Sequence, residues 1–310
     1  MAKRELLKDK AVRDLAWLVN NPPIIQGKLG ETNWTDSDFW QQQHQQAHDL
    51  LLRLDANPSA LYATLDKQKD HRLGHRFETL LSYFFNNSAR YQILAQNLQV
   101  QNEERTIGEF DFIIQDTVLN KTQHWEVACK FYLGLGDTTC INNWHGPMLK
   151  DRLDIKFNQM QCKQSQLSNH PAAALYLKAH GINIDQHVCL MKGRLFHPID
   201  STRRHTPTPV SSDHQYGWWA RPDEFIQHFK QPHYRWLILN KGQWFASQRY
   251  DPNAISYNSH ELLNTLMPDA SPRPTCIAGF NHPTAGQTET TRGFLIAKDW
   301  ANELTINHNS

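Results

Sequence analysis

Three short segments in the middle of the chain carry acidic and basic side chains whose spacing suits chemistry on a phosphodiester. They are Glu78 in an apolar helical stretch, Glu109 and Asp111 in GEFD at 108–111, and Glu126 and Lys130 in HWEVACK at 124–130. Carboxylates that converge repel one another, and a divalent cation relieves that repulsion. A small number of hard oxygen ligands suits Mg²⁺ or Mn²⁺, and a lysine neutralises charge that develops on phosphoryl oxygens. The segments therefore predict a metal site for phosphodiester hydrolysis.

Alternating patterns predict that strands position these side chains. Apolar and polar residues alternate over 93–101, 106–115 and 124–133, which is typical of half-buried strands. Asp111 and Glu126 each lie on the less apolar face of their strand, and Lys130 shares the face of Glu126. A hairpin register that pairs the two strands would bring the carboxylates of Asp111 and Glu126 to one point.

The remaining patterns predict an α/β protein with helices on both sides of these strands. Amphipathic helices are predicted over 6–19, 38–54 and 72–85, and Gly146-Pro147 is predicted to open a long helix with proline at its first position. Further predictions are a strand over 188–196, a loop over 206–213, a hairpin over 234–247 that turns at 240–242, and a strand over 292–297. The tryptophans of the C-terminal third suit either a core or the stacking of bases, and the core is favoured.

The order of these elements is similar to the core of the PD-(D/E)XK nuclease superfamily, which includes restriction endonucleases and Holliday-junction resolvases. The match covers residues 71–196 and is sharpest at GEFDFII; RDLAWLVNNPP, WEVACKFYLG and DRLDIKF also resemble a bacterial family of that superfamily, domain of unknown function 1853. The resemblance implies a restriction-endonuclease-like αβββαβ core and metal-dependent hydrolysis of DNA or RNA. It implies Asp111 as a metal ligand, Lys130 as the catalytic lysine and Glu78 as a supporting acid. The resulting domains are an N-terminal helical segment over 1–70, the core over 71–197 and a C-terminal α+β extension over 198–310.

One position departs from the superfamily pattern. The acid normally stands two residues before the lysine, but Ala128 occupies that place and the acid is Glu126. The two positions share a strand face and are separated by about 6.6 Å along it. Three alternatives follow: Glu126 acts as the second metal ligand from further along the strand, Glu109 or Asp151 substitutes for it, or metal binding is lost. In the last case the chain would be a non-catalytic nucleic-acid-binding protein on the same scaffold.

Two further clusters have competing interpretations. Lys150, Arg152 and Lys156 suit phosphate contacts near a helix N-terminus, whereas Asp151 and Asp154 among them equally suit an ordinary salt-bridged helix. His71 and His75, followed by Glu78, have the one-turn spacing of zinc hydrolases. Arg72, however, stands where those enzymes carry the glutamate, so the zinc interpretation is the weaker one.

Composition limits the classes of protein. The 310 residues carry a formal net charge of +1, which excludes binding of nucleic acid through the overall charge of the protein. Any basic surface that binds nucleic acid must therefore be local. Five cysteines form no CxxC pair, which indicates reduced thiols and a cytoplasmic protein. No signal peptide and no stretch long enough to cross a bilayer is legible, so no membrane partner is expected. No phosphate-cradling glycine loop or dinucleotide fingerprint is legible either, so no nucleotide cofactor is expected.

Overall fold

The computed structural model describes residues 7–68, 70, 72–102, 105–202, 204–266 and 273–302 of the chain. Its contacts divide the chain into two compact units. The first contains Met1–Lys130, Asp154–Gly193 and Thr208–Gln215, and the second contains Phe131–Leu153, Arg194–Pro207 and Tyr216–Ser310. Both units combine helices with strands of mixed direction, so the predicted α/β class is confirmed at this level.

The helices of the described residues are mostly short. They are α1 (Lys10–Asn20), α2 (Ser37–Gln46), α3 (His48–Ala56), α4 (Ser59–Leu65), α5 (Leu73–Asn86), α6 (Leu153–Gln159), α7 (Pro171–Ala179), α8 (Pro222–His228) and α9 (Ser259–Leu266). A π-helical turn, Met160–Gln164, continues α6. Short 3₁₀ turns are Ile141–Asn143, Leu167–Asn169 and Lys241–Gln243.

The strands, again among the described residues, follow the predicted pattern around the acidic segments. They are β1 (Gly27–Leu29), β2 (Thr32–Trp34), β3 (Tyr91–Asn102), β4 (Arg105–Asp116), β5 (Lys121–Gly134), β6 (Trp144–His145), β7 (Gln186–Pro198), β8 (Tyr216–Ala220), β9 (Tyr234–Ile238), β10 (Thr275–Asn281) and β11 (Thr291–Leu295).

The first unit places β4 between β3 and β5, with both pairings antiparallel. Apolar side chains on the two faces of this sheet pack against different helices. On one face, Phe85 of α5 contacts Phe112 and Trp125, with ring centroids 5.6 and 5.4 Å apart respectively. On the other face, Ile113 packs with Leu167 and the α7 residues Ala173 and Leu177. Because side chains alternate along a strand, Glu126 lies on the face of His124, the strand partner of Ile113. Phe110 joins the cluster of Ile113, although strict alternation would place it on the face of Phe112.

The second unit is built on a strand order of its own. The end of β7 pairs in parallel with β8, β8 pairs in parallel with β11, and β11, β10 and β9 follow in antiparallel order. Trp236 of β9 is fully buried among Phe225 and Phe229, which confirms the core interpretation for this tryptophan. It lies 4.9 and 4.8 Å from those two rings, in the T-shaped arrangements that aromatic pairs favour.

Three sequence predictions differ from the structure. The helix predicted to open at Gly146-Pro147 begins instead at Leu153. Before it the chain forms a turn, in which the Gly146 carbonyl accepts a hydrogen bond from the Leu149 N–H and the Gly146 N–H donates to the Asp151 carbonyl. The hairpin predicted over 234–247 does not form, because β9 pairs with β10 and residues Lys241–Gln243 form a 3₁₀ turn. The helix predicted over 38–54 is divided at Ala47 into α2 and α3.

Two other expectations concern membranes and thiols. None of the helices in the described ranges has both the length and the apolar character needed to cross a membrane. All five cysteines are free thiols; Cys140 and Cys162 are exposed and the other three are buried.

Candidate functional site

Asp111 and Glu126 lie side by side on β4 and β5. Phe112 pairs with Trp125 in the antiparallel register, and Asp111 and Glu126 are the residues adjoining that pair. The backbone N–H of Val127 donates to Oδ2 of Asp111 at 2.8 Å, which ties the aspartate to the strand that carries Glu126. Glu126 is 1% exposed and its Oε2 has no hydrogen-bond partner among the described residues. The sheet therefore brings a buried and a half-buried carboxyl group to one place.

Burial makes both carboxyl groups hard to ionise. It raises the pKa of Asp111 to about 8, and the charge of Glu126 adds to this effect. It raises the pKa of Glu126 to about 8 as well, against the opposing charge of Lys156 and hydrogen bonding to Asp111. The two groups repel each other when both are ionised, and they form a hydrogen bond when one of them holds a proton. This is the behaviour of two carboxyl groups that share a proton. At neutral pH the pair carries less than its full double charge, unless a cation replaces that proton.

Lys156 of α6 is the cation whose charge acts on both carboxyl groups. Its charge partly offsets the rise that burial causes in the pKa of Asp111 and of Glu126. Its Nζ donates to Oε1 of Gln164 at 2.9 Å across the π-helical turn, so the turn helps to hold the half-buried ammonium group in place. Lys156 was predicted from the sequence to contact phosphate. In the structure its charge acts on the two acids.

Glu78 and Glu109 belong to the same acidic neighbourhood. Burial raises the pKa of Glu78 to about 7, and the charge of Asp111 is the second cause. The charge of Glu109 raises the pKa of Glu78, Asp111 and Glu126. The Glu109 carboxylate itself accepts a hydrogen bond from Gln99 on β3 at 3.4 Å. Four carboxyl groups from one helix and two strands therefore influence one another within this unit.

The other predicted site residues have different surroundings. Lys130 is half-exposed on β5, two residues beyond Ala128. Burial raises the pKa of the neighbouring Cys129 thiol, and the charge of Lys130 partly offsets that rise. Lys150, Asp151 and Arg152 belong to the second unit. There Lys150 is exposed, Asp151 accepts a hydrogen bond from the Tyr132 hydroxyl at 3.2 Å, and Arg152 forms an isolated bridge with His145.

The alternative histidine site is only partly covered by the structure, because His71 lies outside the described residues. His75 has contacts through both ring nitrogens. Its Nδ1 lies 3.4 Å from Glu78, and its Nε2 lies 2.9 Å from the Arg72 guanidinium. Asp70 is a further neighbour, 3.4 Å from Nε2. These contacts favour a role for His75 in the charge network at the start of α5.

The donor set decides which metal the acid pair could take. In the ranges that the structure covers, no three or more His, Cys, Asp or Glu side chains are arranged to hold a metal ion. A structural zinc site needs four protein ligands and a catalytic one needs three, so the pair does not fit zinc. Mg²⁺ commonly takes one or two carboxylates and completes its coordination with water and phosphate oxygens. The buried, unpartnered Oε2 of Glu126 is the atom that such an ion would satisfy.

One participant in this site, His124, was not predicted from the sequence, and a second, Lys156, was predicted but not connected with the two acids. His124 is completely buried, and its Nε2 lies 3.0 Å from Oε1 of Glu126. Its position two residues before Glu126 placed it on the same strand face, which was a legible indication. Nothing comparable in the sequence connects Lys156 with Asp111, because that proximity depends on how α6 packs on the sheet.

Two neighbouring carboxyl groups on strands, one buried and one half-buried, with a lysine whose charge acts on both, define an α/β protein with a candidate acidic active site. A family model described as "Domain of unknown function (DUF1853)" matches residues 13–296. The chain belongs to this family. No curated protein and no solved structure matches it.

Proposed function

We propose that this protein is a metal-dependent nuclease of the PD-(D/E)XK, restriction-endonuclease-like type, which hydrolyses phosphodiester bonds in DNA or RNA. The observation that carries the proposal is the pair formed by half-buried Asp111 and buried Glu126, whose Oε2 accepts no hydrogen bond from an N–H or hydroxyl group among the described residues. The order of α5, β3, β4, β5, α6 and β7 along the chain supports it, since this is the order of elements in that type of core.

Asp111 and Glu126 would hold the ion, Mg²⁺ or Mn²⁺. Such an ion, when bound, supplies Lewis-acid polarisation of the phosphoryl group and a more acidic water. Both carboxyl groups must give up their shared proton to bind it. The pKa values of about 8 therefore favour activity that increases from neutral toward mildly alkaline pH.

The protein's own charged groups would serve the substrate. Lys156 and Lys130 are the lysines available to neutralise negative charge on a phosphoryl oxygen, and Lys156 is the one whose charge acts on the acid pair. Glu78 has a pKa of about 7 and can therefore accept or release a proton near neutral pH. Exposed Lys150, together with Arg152, is a candidate for phosphate contact in the second unit.

A second candidate function is a nucleic-acid-binding protein without catalysis on the same scaffold. Two observations favour it. Ala128 occupies the position where the superfamily pattern has an acid, and Asp111 and Glu126 retain a proton at neutral pH. A retained proton competes with a cation and would weaken metal binding.

A cleavage assay separates these functions. The wild-type protein is incubated with labelled single-stranded, duplex and branched DNA and RNA, with Mg²⁺, with Mn²⁺ and with a chelator. The nuclease proposal predicts metal-dependent cleavage that falls to background in Asp111→Asn and persists in Glu31→Gln, a matched control at an exposed acid. Cleavage that persists in Asp111→Asn would be contamination, and binding without cleavage would favour the second function.

The same assay distinguishes the two lysines. Lys156→Met and Lys130→Met remove one charge each and keep an unbranched side chain of similar length. Because Lys156 acts electrostatically on both acids, we expect the larger loss of the cleavage rate in Lys156→Met. A larger loss in Lys130→Met would assign the catalytic role to the lysine that the superfamily pattern indicates.

A further inference from the structure

His124 has no role in the function proposed so far, yet its ring contacts the Glu126 carboxyl group directly. The two residues alternate on β5 and therefore share one face of the sheet. Nε2 of His124 lies 3.0 Å from Oε1 of Glu126, and the side chains are 0% and 1% exposed. Oε1 therefore contacts His124, while Oε2 is buried and accepts no hydrogen bond from an N–H or hydroxyl group in the described part of the chain.

We infer that His124 is a positioning residue, which fixes the Glu126 carboxyl group through Oε1 and so directs Oε2 toward the cation held with Asp111. The inference rests on the proposed metal site and adds a residue that the superfamily resemblance does not assign.

Two groups lie against the His124 ring in addition to Glu126. The ring of Phe110 packs against it in a T-shaped arrangement with centroids 4.6 Å apart. The backbone of Ser165 lies beside the rings of both His124 and His187.

The π-helical turn places Ser165 at this position. The N–H of Ser165 donates to the carbonyl of Met160 at 3.0 Å, the i to i+5 bond of a π turn. Its hydroxyl lies 3.2 Å from that of Thr32 on β2, which holds the other side of the residue. Single π turns inside α-helices are rare and are frequent at functional sites. Here the turn brings a backbone group to the ring that supports Glu126.

The chemical consequence is a carboxyl group with unequal oxygens. An ionised Glu126 would accept the Nε2–H of His124 at Oε1, and it would retain Oε2 for a cation. Without the ring, the carboxyl group can rotate about its last bond. Binding of the ion would then cost the conformational entropy of fixing that bond, which weakens the metal affinity. Groups that orient a metal ligand in this way typically contribute about 10- to 100-fold in metal affinity.

Binding of Mn²⁺ alone, without nucleic acid, tests the inference apart from catalysis. Free Mn²⁺ is measured by electron paramagnetic resonance in titrations of the wild type, Glu126→Gln, His124→Leu and His124→Gln. We expect Glu126→Gln to abolish the site, and His124→Leu to weaken it by about 10- to 100-fold. His124→Gln, whose amide can still donate near the Nε2 position, should recover much of the affinity.

His187→Gln is the matched control. This half-buried histidine also lies beside Ser165, but its ring centroid is 6.0 Å from that of His124. It should leave the Mn²⁺ affinity near the wild-type value. Wild-type affinity in His124→Leu would overturn the positioning role and leave the metal site intact. If the wild type binds no Mn²⁺ that depends on Glu126, the proposed function itself fails, and the positioning role fails with it.

A second measurement covers the case in which His124→Leu does not fold. In wild-type protein with ¹⁵N-labelled histidine, Mg²⁺ is titrated while the imidazole resonances are followed. The resonance assigned to His124, by its loss in His124→Gln, should move with the occupancy of the site and move more than that of His187. A His124 resonance that is unchanged at full occupancy would overturn the inference.

Discussion

Replacing Glu126 by glutamine should change how the stability of the metal-free protein depends on pH. The substitution keeps the shape of the side chain and removes a buried group that can ionise. A carboxyl group whose folded-state pKa is raised holds its proton in the folded protein and loses it on unfolding. Stability of the wild type therefore falls as pH rises from about 4.5, the ordinary value, to about 8, the value in the folded protein. Glutamine has no proton to lose in this range, so the stability of Glu126→Gln should not show this fall.

The magnitude follows from the pKa. Each pKa unit corresponds to about 1.4 kcal/mol, so a rise from 4.5 to about 8 limits the cost of ionising Glu126 to about 5 kcal/mol above pH 8. Solvent screening is negligible, because the side chain is 1% exposed. The proton shared with Asp111 reduces the cost that can be assigned to Glu126 alone. We therefore expect Glu126→Gln to be more stable than the wild type by about 2 to 5 kcal/mol at pH 9, and by less than about 1 kcal/mol at pH 5.

Urea unfolding in the presence of a chelator, at pH 5, 7 and 9, measures this difference. Glu31→Gln, at an exposed position, is the control and should follow the wild type at every pH. Added Mg²⁺ should stabilise the wild type more than Glu126→Gln at pH 9, because only the wild type retains both carboxyl groups. A wild type that is as stable at pH 9 as Glu126→Gln would refute the reasoning, since burial would then impose no cost on the charge.

Other predictions concern side chains away from the site. Burial lowers the pKa of Lys192 well below 10.5, so the stability of the wild type should rise with pH from neutral toward 10.5, and Lys192→Met should lose this rise in urea unfolding. Asp14 is fully buried and pairs with Arg76 of α5 at 3.0 Å, so Asp14→Asn should cost about 3 kcal/mol in the same assay. A Cβ at Gly193, where φ is +142°, would meet the Lys130 carbonyl oxygen at 1.7 Å. Gly193→Ala should therefore destabilise by about 4 kcal/mol or more, or yield no folded protein by circular dichroism.

Local patterns predicted the elements around the acids because one face of each strand is buried. Phe112 and Trp125 face the aromatic side chains of α5, and the alternation that follows from this burial was visible in the sequence. The same alternation placed Asp111 and Glu126 on the opposite face. The register that makes them neighbours followed from a tight turn between the strands, where Asp116 pairs with Lys121.

Non-local packing explains the predictions that differ from the structure. The segment after Gly146 has helical composition, but Leu149 adopts a positive φ of 57° and the chain turns before α6 begins. Tyr234–Ile238 was expected to pair with the residues just after it, yet it pairs with β10, which follows much later in the chain. The pairing of strands that are far apart in the chain depends on packing in the core. The turn residues at 240–242 carry no information about that packing.

The site itself was predictable in part. Asp111 and Glu126 could be inferred from strand parity, and Glu78 from its isolation in an apolar helix. The position of Lys156 depends on the packing of α6 and on a π turn, and no periodicity in the sequence encodes either. The role of Lys130 as the catalytic lysine remains a prediction.

The central claim is that Asp111 and Glu126 hold one divalent ion between them. Crystals grown with Mn²⁺ and measured at a wavelength where manganese scatters anomalously would locate that ion directly. The account predicts an anomalous peak in contact with both carboxyl groups, and no such peak in crystals of Asp111→Asn. A wild-type crystal with manganese bound elsewhere, and with Asp111 and Glu126 still joined by a proton, would contradict it.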